Sequence, residues 1–170
     1  MNGENKNWNR RLWFYGALSC NTLKTIDEIE LKAVADINPE QLKDAPAGVK
    51  VFNSMEEMLK GADMDSVIIS TPNITHLELV EMAAKAKKAI ICEKPAAMSV
   101  KEFDQMTAVT RENNVHFTVH QQRRWDTDYC IMKEVYDKNM VGDVYVIKSQ
   151  LYGFNGDMHD WHVFLGYGRK

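Results

Sequence analysis

The feature that most constrains this chain is the alternation of short, β-branched apolar runs with segments of helical periodicity. Residues 66–70 (SVIIS) and 89–92 (AIIC) are nearly all apolar. Such strands belong in a parallel sheet covered on both faces, because no position along them is set aside for water. Between them, residues 74–88 place Leu77, Val80 and Ala84 on one helical face and Glu81 and Lys85, four apart, on another. Parallel neighbours require a crossover, and a right-handed helical crossover is the one that packs back onto the sheet. The expected fold is therefore α/β, a doubly wound parallel sheet.

The flanking segments keep the same rhythm. Residues 31–36 (LKAVAD) read as a strand, followed by Asn38 as helix N-cap and Pro39 at the first helical position. Residues 49–52 read as a second short strand. Ser54 and Glu57 then stand at capping-box spacing ahead of Met58 and Leu59, with Gly61 as a stop. Pro72 ends SVIIS. Ser99 and Glu102 repeat the capping box and open a helix presenting Phe103 and Met106, and residues 115–119 (VHFTV) close the series.

Beyond His120 the rhythm changes. Residues 126–140 read as a longer helix stopped by Gly142-Asp143, and residues 144–154 (VYVIKSQLYGF) read as the first strand of a different sheet. The expected division is 1–120 for the doubly wound domain and 121–170 for the start of a second, α+β domain. No internal repeat or low-complexity segment interrupts it.

Composition narrows the function classes. A net charge of -3 gives no electrostatic reason to expect nucleic acid or an anionic membrane surface. No apolar run approaches the ~20 residues of a membrane span, and the first sixteen residues hold no apolar core of signal-peptide length. Cys20, Cys92 and Cys130 are odd in number and share no close spacing, which argues against a disulfide framework or a metal site. A cytoplasmic protein is expected.

Three places carry side chains suited to chemistry. Asp36 ends the first clear strand, where in dinucleotide-binding sheets a carboxylate accepts from adenosine ribose hydroxyls and repels a 2′-phosphate. No arginine follows closely, which favours NAD over NADP. The competing reading of Asp36 is a solvated acid leading into the Asn38-Pro39 turn. Thr71-Pro72-Asn73-Ile74-Thr75-His76 lies at the carboxyl end of SVIIS, the edge where open α/β sheets bind ligands. There Asn73 or Thr75 is placed to cap the next helix, and the alternative is a simple loop and cap. Glu93-Lys94-Pro95 puts opposite charges directly after a buried strand. The lysine there is suited to holding hydroxyls or moving a proton, and the bland alternative is a surface ion pair.

TPNITH, a helix, AIICEKPAAMS, a second helix and VHFTVHQQRRWD, in that order, resemble the Gfo/Idh/MocA oxidoreductases, the family of glucose-fructose oxidoreductase and inositol dehydrogenase. The likeness runs from about Leu31 to about Trp161, and its hallmark is the Glu-Lys-Pro turn. It implies a Rossmann-like NAD(P)-binding domain and hydride transfer between nicotinamide and a sugar, polyol or related carbinol. It implies that Asp36 binds the adenosine ribose and that Thr71, Pro72, Asn73 and His76 line the cofactor crevice. Glu93 contacts the ribose beside nicotinamide, and Lys94 reaches cofactor and substrate as the catalytic group. Pro95 resembles the family's cis proline. Gln122 and Arg123 stand where the chain crosses towards the nicotinamide, and Asp160-Trp161 resembles a segment that returns across the cofactor. His162 follows Trp161 where many relatives carry arginine. NAD is the expected cofactor, with NADP less favoured. The expected partner is a small polyol-like molecule, and the homo-oligomer of relatives is not expected here.

The sequence departs from that pattern at two places. The family opens with a strand and a G-x-G-x-x-G turn, whereas residues 11–17 (RLWFYGA) hold only Gly16. The expectation is that the first strand and its turn are missing or scrambled, with weak pyrophosphate binding. A downstream Asp–His acid–base pair is not found, and His159 and His162 read as loop residues. A truncated oxidoreductase therefore stands beside a second reading, a non-catalytic nucleotide-binding or interaction module or a degraded fragment. A doubly wound signalling domain keeps the fold but leaves Glu93-Lys94-Pro95 unexplained.

Overall fold

The computed structural model describes residues 10–14, 23 and 25–150. They fall into two compact units, dividing between Gln122 and Arg123.

The first unit is built on six strands: β1 (Arg10–Phe14), β2 (Ile29–Ala35), β3 (Lys50–Phe52), β4 (Ser66–Ile69), β5 (Ala89–Cys92) and β6 (Phe117–Val119). They form two parallel ladders, β1-β2-β3 and β4-β5-β6. β1 runs beside β4, so the spatial order is β3-β2-β1-β4-β5-β6. Chain order reverses between β1 and β4, and a crevice opens at such a switch point beyond the carboxyl ends of the strands. β1 occupies the central slot that the sequence had been expected to leave missing or scrambled. It pairs residue by residue with β2, with one irregularity between Leu12 and Trp13. Residues 15–22, the place of the glycine turn, lie outside the described residues.

Helices connect the strands: α1 (Pro39–Leu42), α2 (Met55–Gly61), α3 (His76–Lys85) and α4 (Val100–Glu112). All four residues of β4 are buried, as a strand covered on both faces requires. Val67, Ile69 and Ile90 are fully enclosed with Met58 of α2, Val80, Ala83 and Ala84 of α3, and Met106 of α4. Each large side chain so enclosed contributes about 1.5–3 kcal/mol relative to leaving it in water.

The helix starts follow the capping logic with one difference. Asn38 Oδ1 accepts from Glu40 N, and Ser54 and Ser99 Oγ accept from Glu57 and Glu102 N at 3.2 Å. The returning glutamates, however, take the main-chain N–H of the residue before the cap. Glu57 accepts from Asn53 and Glu102 from Met98. Gly61, expected to stop α2, is instead its last residue, and Ala62 is the extended C-cap.

The second unit contains α5 (Thr127–Asp137), three residues shorter at its end than the 126–140 expected. Asp126 is its N-cap, and Asn139 and Gly142 turn the chain with φ of 51° and 72°. The strand expected over 144–154 does not form in its described part: residues 144–150 carry no regular structure and are exposed. An apolar run becomes a strand only by pairing its main chain with a neighbour, and none lies beside it among the described residues. Residues 151–154, His159, Trp161 and His162 lie outside the described residues.

Candidate functional site

The in-register ladders decide which side chains gather at the carboxyl edge. Ile69 stands opposite Cys92, and Cys92 opposite Val119. The pattern runs one residue further, because Glu93 N donates to Ile69 O at 2.7 Å and His120 N donates to Cys92 O at 2.8 Å. Glu93 and His120 are therefore the next cross-strand pair, on one face of the pleat. Glu93 Oε1 and His120 Nδ1 meet at 2.5 Å, and Glu93 Oε2 accepts from the main-chain N–H of Lys94 at 3.1 Å.

Lys94 itself is exposed, and its ammonium makes no hydrogen bond or ion pair among the described residues. The Lys94–Pro95 bond is cis, as the sequence suggested. Just behind, Cys92 is enclosed. Burial first, and the negative charge of Glu93 second, push its thiol up to about 12 from an ordinary 9.0. Deprotonated thiolate is the reactive form of cysteine, so this group is inert at neutral pH.

The loop after β4 is knit internally. Thr71 Oγ1 and Thr75 Oγ1 lie 2.7 Å apart, and Thr75 Oγ1 donates to Pro72 O at 2.8 Å. Thr75 N also donates to Pro72 O, so the start of α3 is tightened into a 3-10 turn, Asn73–Thr75. Thr75 sits at the N-cap position without capping through its side chain, contrary to the alternative offered for it. Thr71, Pro72 and Asn73 are half-buried on this rim.

His76 is placed differently from the expectation that it lines the crevice. Its ring is 1% exposed, with Nε2 2.8 Å from Thr71 O and Nδ1 3.1 Å from Ala96 O. It braces the wall from behind, joining the loop after β4 to the loop after β5.

Asp36 follows β2 and is 7% exposed. Its main-chain N continues the β2–β3 ladder to Phe52 O, and Oδ1 accepts from Asn38 N at 2.8 Å. Oδ2 has no partner among the described residues. The turn to Asn38 in the competing reading exists, and the residue as a whole is largely buried.

At the end of β6, Gln122 is half-buried, and its Oε1 is enclosed without a partner among the described residues. Arg123 belongs to the second unit, where it is exposed and pairs with Asp126 at 2.9 Å. Trp161 lies outside the described residues. The sequence reading missed His120 and found no metal site. Among the described residues no group of three His, Cys, Asp or Glu is arranged to hold a metal ion. No described helix is long and apolar enough to cross a membrane.

An acid after β2, a Thr-Pro-Asn loop after β4 and a Glu-Lys-Pro turn after β5 thus stand at the carboxyl ends of the strands. The oxidoreductase family with an NAD-binding Rossmann fold, GFO_IDH_MocA, matches residues 14–121. The chain belongs to the Gfo/Idh/MocA family. Myo-inositol 2-dehydrogenase of Thermotoga maritima is 29% identical over 136 residues, covering 78% of this chain and 41% of that protein. Among solved structures, an NAD-binding protein from Listeria innocua superposes with a TM-score of 0.79 at 34% identity, over 89% of this chain and 46% of that one. Scyllo-inositol dehydrogenase from Lactobacillus casei, solved with bound NAD(H) and scyllo-inositol, gives 0.70 at 27% identity, over 78% and 41%. The chain thus spans about two fifths of the length of the Thermotoga relative. The Gfo/Idh/MocA match begins at Phe14, the last residue of β1, so the profile reaches back over the 15–22 segment in which the glycine fingerprint is lacking.

Proposed function

We propose that this Gfo/Idh/MocA chain is the nucleotide-binding part of an oxidoreductase that takes NAD and acts on a sugar, polyol or related carbinol. The observation that carries the reading is the row of acceptors and one free ammonium along the switch-point edge: Asp36, then Thr71-Pro72-Asn73, then Glu93-Lys94. The donor set fits a dinucleotide. Oδ2 of Asp36, without a partner among the described residues, is an acceptor suited to a ribose hydroxyl, and the carboxylate's negative charge disfavours a 2′-phosphate. That preference selects NAD over NADP. Glu93 supplies a second carboxylate for the ribose beside nicotinamide, with Gln122 as a further contact.

When bound, the nicotinamide supplies the hydride chemistry. The chain's own part is to bind and orient, with Lys94 as the group that holds a substrate oxygen and assists movement of its proton. Its exposed ammonium, on a long flexible stem, is free to do so. The relative solved with bound scyllo-inositol supports a polyhydroxylated substrate. Residues 121–170 read as the start of the substrate domain.

Titration of the purified chain with NAD, NADH and NADP, followed by cofactor fluorescence and thermal shift, tests the reading. Saturable binding with NAD preferred is the expected result. A folded chain that binds none of them at millimolar concentration supports the second reading, a non-catalytic module. That alternative draws on the single glycine of residues 11–17.

A further inference from the structure

The Glu93 carboxylate stands just past the end of β5, with its side chain 26% exposed. A glutamate carboxylate, turned by three side-chain torsions, samples several directions at such a position unless something holds it. We propose that His120 is the positioning residue for Glu93, and that the pair forms one acceptor unit for a vicinal diol. The inference rests on the reading of Glu93 as a ribose contact.

The geometry supports it at both ends. The main chains of the two residues are tied to the same strand system by Glu93 N to Ile69 O and His120 N to Cys92 O. Their separation is therefore set by the sheet. An ionised carboxylate only accepts, so the hydrogen between Glu93 Oε1 and His120 Nδ1 is carried by the imidazole. With Lys94 N–H on Oε2 and the imidazole N–H on Oε1, each carboxylate oxygen has one neighbour and one open acceptor direction. Two adjacent hydroxyls match two open acceptor directions. In a neutral ring the pairing also sets the tautomer: Nδ1 is the donor, and Nε2, which has no partner among the described residues, is a further acceptor at the same edge. His120 is half-exposed, with a side-chain accessibility of 51%, so that nitrogen is reachable.

The alternative is that His120 merely packs at the end of β6. Two titrants separate the roles, because ADP carries only the adenosine ribose whereas NADH carries both. The full chain is titrated with NADH and with ADP as wild type, His120→Ala and His120→Asn. In His120→Ala we expect NADH affinity to fall about tenfold with ADP affinity unchanged within about twofold, since a charge-assisted hydrogen bond to the nicotinamide-side site is lost. In His120→Asn, whose side-chain amide places a donor near the Nδ1 position, most of the affinity returns. Equal loss for ADP and NADH, or no loss for either, overturns the proposal.

The pair is also read directly in the ligand-free chain by nitrogen-15 NMR of the imidazole, above the histidine titration range. The Nδ1–H tautomer is expected in the wild type and a mixture in Glu93→Gln. Identical spectra overturn the pairing. If the tautomer shifts as expected while wild type binds no NADH, the pair stands and the nucleotide reading is what fails.

Discussion

His76 and Ala96, twenty residues apart, meet where the imidazole Nδ1 lies 3.1 Å from the alanine carbonyl, and the opposite ring nitrogen lies 2.8 Å from the carbonyl of Thr71. One enclosed ring thereby fastens the loop after β4 to the loop after β5. Those two loops carry the Thr-Pro-Asn rim and the Glu-Lys-Pro turn. The relationship links a packing fact to the shape of the candidate site. Burial makes it matter, because a main-chain carbonyl that loses its partner away from water keeps its full desolvation penalty.

Replacing that ring is the first prediction. His76→Ala leaves a cavity and removes the imidazole N–H from the carbonyl it serves, and should lower stability by about 2–4 kcal/mol. His76→Gln, which can reach one carbonyl, should fall between. Urea unfolding of the ligand-free chain measures both, and a His76→Ala variant as stable as wild type would show that the ring's contacts with the two loops contribute nothing.

Gly61 gives a second prediction from shape alone. A Cβ built on it would lie 2.7 Å from Cε1 of Phe52, the last residue of β3, closer than real carbon atoms approach. Alanine is ordinarily worth about 0.5–1 kcal/mol over glycine within a helix. Overpacking against a ring costs about 1–3 kcal/mol, so Gly61→Ala should be a net loss. With Phe52→Leu already in place, the same alanine should become neutral or stabilising. A double-mutant cycle on thermal midpoints decides, and additivity of the two changes would remove the steric explanation.

Much of this was legible in the sequence because it is local. Asn38, Ser54 and Ser99 announce helix starts through bonds spanning two or three residues, and the β-branched runs announce buried strands. What depends on register was not legible. The meeting of Glu93 with His120 follows from Cys92 lying opposite Val119, a fact about two strands separated by a helix. The enclosure of His76 depends on where residue 96 returns, which the Thr-Pro-Asn pattern does not state. Residues 144–150, the described part of the apolar run, form no strand for the complementary reason: they suit a sheet, but pairing belongs to the neighbour as much as to the segment. β1 is the opposite case, since bulky residues unlike the family's pattern still take the central slot when β2 and β4 flank it.

Asp36 is expected to set cofactor choice through charge rather than through shape. Asp36→Asn keeps an oxygen for the Asn38 N–H and so preserves the turn, but removes the negative charge. NAD affinity should fall about tenfold while NADP affinity rises or holds, narrowing the preference between them. Parallel fluorescence titrations with NADH and NADPH measure the ratio. An unchanged ratio would place the discrimination elsewhere.

Cys92 and Cys130 should differ sharply in reactivity. Cys130 is exposed, whereas Cys92 is fully enclosed with its thiol pushed up to about 12. Mild alkylation of the native chain followed by peptide mass analysis should label Cys130 and spare Cys92 until the chain unfolds. The same shift has a stability consequence. The unfolded thiol ionises from its ordinary 9.0 upward while the folded one stays protonated. Its contribution is therefore complete below that value and is lost as pH rises towards 12. Cys92→Ala should flatten that alkaline decline, and an equally steep decline in the variant would assign it to other groups.

Lys94 offers the most direct test of chemistry at the edge. It is exposed and its ammonium is unpaired among the described residues, so Lys94→Ala should leave the unfolding midpoint nearly unchanged. If the chain turns over a sugar or polyol and the lysine assists proton movement, that turnover should fall by about 100-fold or more in the alanine variant. Lys94→Arg separates charge from proton transfer, since a guanidinium binds oxygen but does not give up its proton. Binding of NADH should survive in the arginine variant while turnover does not. Full turnover with arginine would reduce the residue to an electrostatic anchor, and full turnover with alanine would remove it from the mechanism.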